Sequence, residues 1–181
     1  INSSLENLLE ELIKIPGIYR IRLSSIEINE ITPKIIKLIK ESNIMAKHLH
    51  IPMQSGSDTI LKSMNRLYNL DFFFKRIDYI RKEIPDISIT TDLIVGFPGE
   101  TEELFKETIA TLHKIKFTKI HTFPYSKRNG TVAASMPNHL DGNTKKCRVR
   151  EVLSLSDKYE LEYYKNNIGA YFDGIVETRK D

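Results

Sequence analysis

Several groups of residues in this 181-residue sequence pair reactive or charged side chains with a spacing that could bring them together. Gln54-Ser55-Gly56 closes an apolar run, and Arg66 follows twelve residues after Gln54. A guanidinium donates two parallel hydrogen bonds, so Arg66 suits a carboxylate ligand; a helix cap and a surface arginine are the plain alternative. Asp92 is an acid inside the run Ile87 to Val95. A carboxylate there must be compensated, either by two sugar hydroxyls or by a structural ion pair. His48 and His50 lie two apart on a β-type run and face the same way, which suits metal ligands or hydrogen-bonded barrel lining. Lys127-Arg128 forms a basic tip beside Tyr125, a pattern for phosphate contact with a stacking ring, or else a solvated charged face.

The elements that must hold these residues follow from periodicity. Helical stripes run from Leu5 to Ile13, along Ile35, Ile36 and Ile39, and along Leu104, Phe105, Thr108, Ile109 and Leu112. Thr32 caps a helix with Pro33 in its first turn. Ser57 is expected to cap a helix to about Leu67, and Asp71 another to Ile84. A long helix is expected from about Thr144 to Asn167, ended by Gly169. Strand-type runs lie at Arg20 to Ile26, His48 to Ile51, Ile87 to Val95 and Lys119 to Pro124. Strands alternating with helices imply right-handed crossovers and a parallel sheet, an α/β fold. In such a sheet ligands bind beyond the carboxyl ends of the strands. The loops at 52–57, 92–100 and 124–131 fall there, each polar and each with glycine. Gly56 is expected to let backbone approach a ligand. Gly96-Phe97-Pro98-Gly99 reads as a turn, with Glu100, Glu102 and Glu103 clustered after it.

Composition bounds the function. Apolar residues make up 40% and charged residues 28%, an ordinary balance for a folded domain. No apolar run reaches the roughly 18–20 residues of a membrane-spanning helix. The expectation is a cytoplasmic protein without a membrane partner. The one cysteine, Cys147, excludes a disulfide framework or a cysteine-ligated cluster built from this chain alone; a partly buried apolar role is expected for it. The net charge of +3 is uneven: residues 112–150 hold nine basic residues against one acid, a local +8. That stretch includes Lys127, Arg128, Lys145, Lys146, Arg148 and Arg150, and it reads as a nucleic-acid footprint in which Lys127, Arg128, Lys145 and Arg148 contact RNA.

Taken together, Arg20-Ile-Arg-Leu-Ser-Ser-Ile-Glu27, His48-Leu-His-Ile-Pro-Met-Gln-Ser-Gly-Ser57, Met64-Asn-Arg66, Thr91-Asp-Leu-Ile-Val-Gly-Phe-Pro-Gly-Glu-Thr101 and Phe123-Pro-Tyr-Ser-Lys-Arg-Asn-Gly-Thr131 resemble the radical S-adenosylmethionine methylthiotransferases. The resemblance covers nearly the whole chain. It implies the C-terminal part of a partial (βα)6 TIM-like barrel, about the last four of six βα units, at residues 1–142. A helical connection at 143–168 follows, then the first strand of a truncated TRAM β-domain at 169–181. It further implies that Gln54 and Arg66 lie at or near the methionine moiety of S-adenosylmethionine, and that Asp92 contacts its ribose. Ile94 to Gly96 and Phe123 to Tyr125 would border adenine, with Ser25 and Glu27 at the end of the first strand.

The implied partner is tRNA. The implied reaction is methylthiolation of an adenosine beside the anticodon, with threonylcarbamoyladenosine favoured over isopentenyladenosine. The family's chemistry needs two [4Fe–4S] clusters. Reductive cleavage of S-adenosylmethionine gives a radical that takes hydrogen from an adenine carbon, and a methylated sulfur is then inserted. The sequence lacks the family's CxxxCxxC loop, its glycine-rich segment after the second barrel strand and its N-terminal domain, and Cys147 matches no cluster ligand. The fragment is therefore expected to be inactive alone, and to self-associate through the open sheet edge at Arg20 to Ile26. Two other classes remain open beside the enzyme fragment: a non-catalytic RNA-binding module, and a metal-dependent barrel hydrolase using His48 and His50.

Overall fold

The structure, a computed structural model, describes residues 4–172. Helix α1 (Leu5–Lys14) opens the chain, and the Ser4 side chain accepts a hydrogen bond from the Asn7 amide at its start. Helix α2 (Pro33–Glu41) is capped by Thr32, with Pro33 in its first turn, and buries Ile35, Ile36 and Ile39. Strand β1 (His48–His50) follows, then α3 (Asp58–Ser63) and α4 (Leu70–Glu83). Strand β2 (Ser88–Val95) leads to α5 (Glu102–Ile115), and β3 (Lys119–Pro124) leads to the short α6 (Val132–Ser135). Helix α7 (Gly142–Asn166) is the longest element, capped by Asp141 through the amides of Asn143 and Thr144.

The sheet is parallel, in the order β1-β2-β3, with His48 opposite Ser88 and Thr90 opposite Lys119. Crossovers through helices produce this arrangement, as the alternating pattern requires. The core is one cluster. Leu49, Ile89, Leu93 and Val95 of the sheet pack with Ile36, Ile39, Phe73, Ile77, Leu112 and Ile120. Helix α7 adds Val152 and Tyr159 to the same core, and Ser156 Oγ accepts from the Ile120 amide at 3.0 Å. The expected helical connection is thus a covering layer of the sheet.

Three expectations about elements are corrected. Arg20 to Ile26 forms two isolated parallel bridges, Ile21 to Met45 and Ser25 to His50, so three strands form the sheet and this segment lies along the β1 edge. The cap of α4 is Asn69, whose side chain accepts from Phe72, and Asp71 sits inside the first turn. Ser57 precedes α3 without a side-chain cap; its hydroxyl donates instead to Glu107 of α5 at 2.7 Å, and α3 ends at Ser63. The expected strand from Tyr171 to Glu177, and the TRAM reading with it, falls largely outside the described residues; Tyr171 and Phe172 are exposed.

Candidate nucleoside-binding site

Strand alternation sends Thr90, Asp92 and Ile94 to one face of β2 and the buried Ile89, Leu93 and Val95 to the other. At the carboxyl end of the strands the first face opens into a cleft of about 560 Å³. Gln54, Asp92, Ile94, Phe97, Phe123 and Tyr125 line it, with Arg128 at the following loop. The rings of Phe97 and Tyr125 meet edge to face, 5.3 Å between centroids. Gln54 holds a positive φ of 66°, rare for a residue with a Cβ. Two backbone bonds keep it there: its amide donates to the Asp92 carbonyl and its carbonyl accepts from the Ile94 amide, both at 2.9 Å.

A polar row lines the sheet face below the cleft. Arg22 Nε donates to His48 Nδ1 at 3.2 Å, and the His48 and His50 rings both contact Thr90 Oγ1, at 3.1 and 2.9 Å. His50 Nε2 stands 3.3 Å from Asp92 Oδ2. Asp92 thus has a histidine ring beside its carboxylate on one side and the cleft on the other. Burial, aided by the charges of Arg22 and His50, lowers the His48 pKa to about 4. The row is hydrogen-bonded lining. No group of three or more His, Cys, Asp or Glu side chains placed to hold a metal occurs among the described residues.

The other expected site residues lie apart. Ser25 lines a separate cleft of about 300 Å³ with Arg22 and His50. Arg66 Nη1 donates to Glu27 Oε1 at 2.8 Å, so these two residues meet each other. Gly56 serves packing: a Cβ there would lie 2.7 Å from Thr108 Cα and 2.9 Å from Thr111 Cβ of α5. Its expected role in ligand approach gives way to helix–loop contact.

Gly96 shapes the cleft from behind. Its φ is +73°, and its amide donates to Glu100 Oε2 at 2.6 Å. Glu100 is fully buried as a side chain, and burial pushes its carboxyl up against the opposing pull of the Gly96 amide and Arg148. Arg148 Nη1 donates to Glu100 Oε2 at 2.7 Å and to the Glu100 carbonyl at 2.9 Å. Sequence reasoning gave Arg148 to RNA; the structure turns it inward, 5% exposed. Lys145 lies against Gly96, and its Nζ donates to the Tyr125 carbonyl at 3.1 Å. The sequence singles out neither Thr131 nor Ala133, and it marks Phe97 only as part of a turn and Glu100 only as part of an acidic cluster; loop side chains without periodicity carry no signal of where they point.

The basic stretch also looks different in space. Lys119 pairs with Asp157 and Glu160, Lys116 with Glu162, and Lys114 sits 3.6 Å from the centre of the Phe74 ring. Lys127, Arg128, Lys146 and Arg150 are exposed. Cys147 is exposed rather than partly buried.

The Radical SAM superfamily model matches residues 1–112. The chain belongs to this superfamily. Among curated radical SAM relatives, the threonylcarbamoyladenosine tRNA methylthiotransferase MtaB of Bacillus subtilis is 47% identical over 165 residues, covering 89% of this chain and 37% of that protein. A tRNA-2-methylthio-N(6)-dimethylallyladenosine synthase of Thermoanaerobacter pseudethanolicus is 43% identical over 170 residues, covering 94% of this chain and 36% of that protein. The chain therefore spans a little over a third of the length of these relatives. The solved structure of the radical SAM enzyme coproporphyrinogen III oxidase from Escherichia coli superposes with a TM-score of 0.65 at 18% identity, over 86% of this chain and 36% of that one. That likeness confirms the radical SAM fold, and the parallel three-strand sheet with its helices is the corresponding part of it.

The superfamily implies S-adenosylmethionine and a [4Fe–4S] cluster. The cleft fits the first: aromatic walls suit adenine, and Asp92 on the floor supplies acceptors for ribose hydroxyls. The residues of this chain do not fit the second, because the one cysteine lies exposed on α7.

Proposed function

We propose that this chain is the nucleoside-holding part of a radical SAM tRNA methylthiotransferase acting on threonylcarbamoyladenosine beside the anticodon. The observation that carries the reading is the position of Asp92: a carboxylate on the floor of a cleft walled by Ile94, Phe97 and Phe123. That pairing of acceptor and apolar rings matches a ribose joined to a purine. Identities of 43–47% to relatives named for either adenosine support the tRNA methylthiotransferase reading, and the choice of threonylcarbamoyladenosine follows the slightly higher identity to the Bacillus subtilis relative. In the complete enzyme, a cluster with a bound S-adenosylmethionine supplies the radical chemistry, and a second cluster is part of the same proposal. The residues here orient the cofactor and exclude water from it: Gln54 and Asp92 hold its polar groups, and the rings of Phe97 and Phe123 cover its base. Gln54 and Arg66 are assigned to the methionine side, which extends from the cleft toward Glu27 and Ser25.

The tip at Lys127 and Arg128 is proposed to meet tRNA. Arg128 borders the cleft and Lys127 precedes it on the exposed loop, so phosphate contact there would bring a nucleotide to the cleft mouth. A cytoplasmic location agrees with a tRNA substrate, and no helix of the described residues is long and apolar enough to cross a membrane.

Calorimetric titration of the full chain with S-adenosylhomocysteine tests the cofactor reading. Binding is expected, and Asp92→Ala is expected to weaken it at least tenfold. Wild-type and Asp92→Ala chains that bind equally, or not at all, would remove the basis of the assignment. For the tRNA contact, Lys127→Ala with Arg128→Ala is expected to weaken anticodon stem-loop binding and to flatten its salt dependence; an unchanged salt slope counts against it.

A further inference from the structure

The first turns of α7 reach both loops that shape the cleft. Lys145 and Arg148 stand one turn apart on the helix and face the same way. The Lys145 stem lies on Gly96 so closely that an added Cβ would meet its Cγ at 2.5 Å. Its ammonium group bonds the Tyr125 carbonyl at 3.1 Å, at the end of β3. Lys145 thereby bridges the ends of β2 and β3. Arg148 holds the same turn from the other side. It binds the side chain and carbonyl of Glu100, and the Glu100 carboxylate in turn holds the Gly96 amide. The guanidinium also lies 4.9 Å from the centre of the Phe105 ring, which fixes it against α5.

We propose that Lys145 and Arg148 are positioning residues for the nucleoside cleft, acting through the Tyr125 carbonyl and the Glu100–Gly96 contact. The proposal rests on the cleft being a nucleoside site. Neither residue lines the cleft; each fixes a backbone segment that does. Gly96 lies between Ile94 and Phe97, and Tyr125 follows Phe123 by two residues, so both clamped segments carry cleft walls. The first turns of helix α7 are in this way part of the cofactor site. The arrangement also explains why these two basic residues leave the RNA footprint that the linear charge count assigned to them.

The test uses the full chain with two probes, S-adenosylhomocysteine by calorimetry and an anticodon stem-loop RNA across a salt series. Lys145→Met keeps the stem on Gly96 and removes only the ammonium contact. It is expected to weaken the nucleoside about fivefold to tenfold, a loss of one hydrogen bond to a charged group. The urea midpoint and the RNA salt slope are expected to stay as in the wild type. Arg148→Met is expected to weaken the nucleoside more than tenfold, with partial recovery in Arg148→Lys. Lys146→Met and Arg150→Met, on the exposed side of the same helix, are expected to leave nucleoside binding unchanged. Unchanged nucleoside affinity in Lys145→Met, together with a flatter RNA salt slope, overturns the proposal and returns Lys145 to RNA. Should the wild-type chain bind no nucleoside, the reading of the cleft fails separately. The positioning claim is then decided by amide hydrogen exchange at Gly96, where an unaltered rate in Arg148→Met overturns it.

Discussion

Arg66 and Glu27, 39 residues apart in the chain, meet at 2.8 Å on the side of the sheet where Ser25 bridges His50. Both are partly exposed, so the pair contributes little to stability on its own. The Arg66 Nε is buried without a hydrogen-bond partner among the described residues. The rest of the guanidinium is partly exposed, so with one arm on Glu27 it keeps donors that can meet a second carboxylate. Arg66→Met is therefore expected to weaken S-adenosylhomocysteine, which carries an amino acid carboxylate, about tenfold. The same change is expected to leave 5′-methylthioadenosine, which lacks it, unaffected. Equal loss for both ligands in a competition assay would place Arg66 outside the methionine site.

Gly56 packs against α5 closely enough to exclude a methyl group. The atoms in the way include the Thr108 backbone, which cannot rotate aside as a side-chain tip can. Gly56→Ala is expected to cost about 1–3 kcal/mol, the usual range for overpacking. Chemical denaturation reads this directly, and an unchanged midpoint would show that α5 moves freely relative to the β1 loop. The Thr111 hydroxyl donates to the Gly56 carbonyl at 2.9 Å and holds the loop against the helix from the same side.

The elements and the floor of the cleft were legible before the structure, because they depend on period and on caps. The β2 alternation put Asp92 and Ile94 on one face, and the face opened into the cleft. Thr32 caps its helix as its side chain requires. The segment from Arg20 to Ile26 failed as a strand because β-type residues alone do not supply a continuous ladder; two bridges satisfy part of it and leave Arg22 to Ser24 between them. Charge misled for a different reason. A count along residues 112–150 stops before Asp157, Glu160 and Glu162 of α7, which lie beside Lys116 and Lys119 in space. Arg148 was assigned outward because a basic run has no marker of its inward face; its partner Glu100 is 48 residues away.

The His48 ring makes a prediction about acid stability. Its pKa falls from the ordinary 6.5 to about 4 because burial and the Arg22 charge disfavour the protonated form. An unfolded chain therefore binds a proton at His48 more readily than the folded chain between those values. Linkage then makes stability complete above about pH 6.5 and progressively lost as pH falls toward 4, with a slope below the roughly 1.4 kcal/mol per unit of a full proton because the ring is half-buried. His48→Gln keeps a hydrogen-bonding group near Thr90 and removes the proton. Unfolding midpoints of the variant are expected to depend less on pH across that window. An identical pH dependence in variant and wild type would mean that another group carries it.

The edge beside β1 predicts self-association. Ile21 and Ser25 bridge toward the sheet, and the backbone of Arg22, Leu23 and Ser24 runs between the bridges along its edge. Backbone at a sheet edge templates a further strand. Charge opposes this: the chain carries a net charge of +3, so two copies repel one another. The balance predicts weak dimers at low salt and stronger ones as salt screens the repulsion. Sedimentation velocity across a salt series measures it. Ser24→Pro removes one amide from the edge, and it is expected to hold the chain monomeric at salt concentrations where the wild type dimerises. Proline and wild-type chains that associate alike would show that the contact lies elsewhere, with the exposed aromatic pair Tyr171 and Phe172 the next surface to mutate.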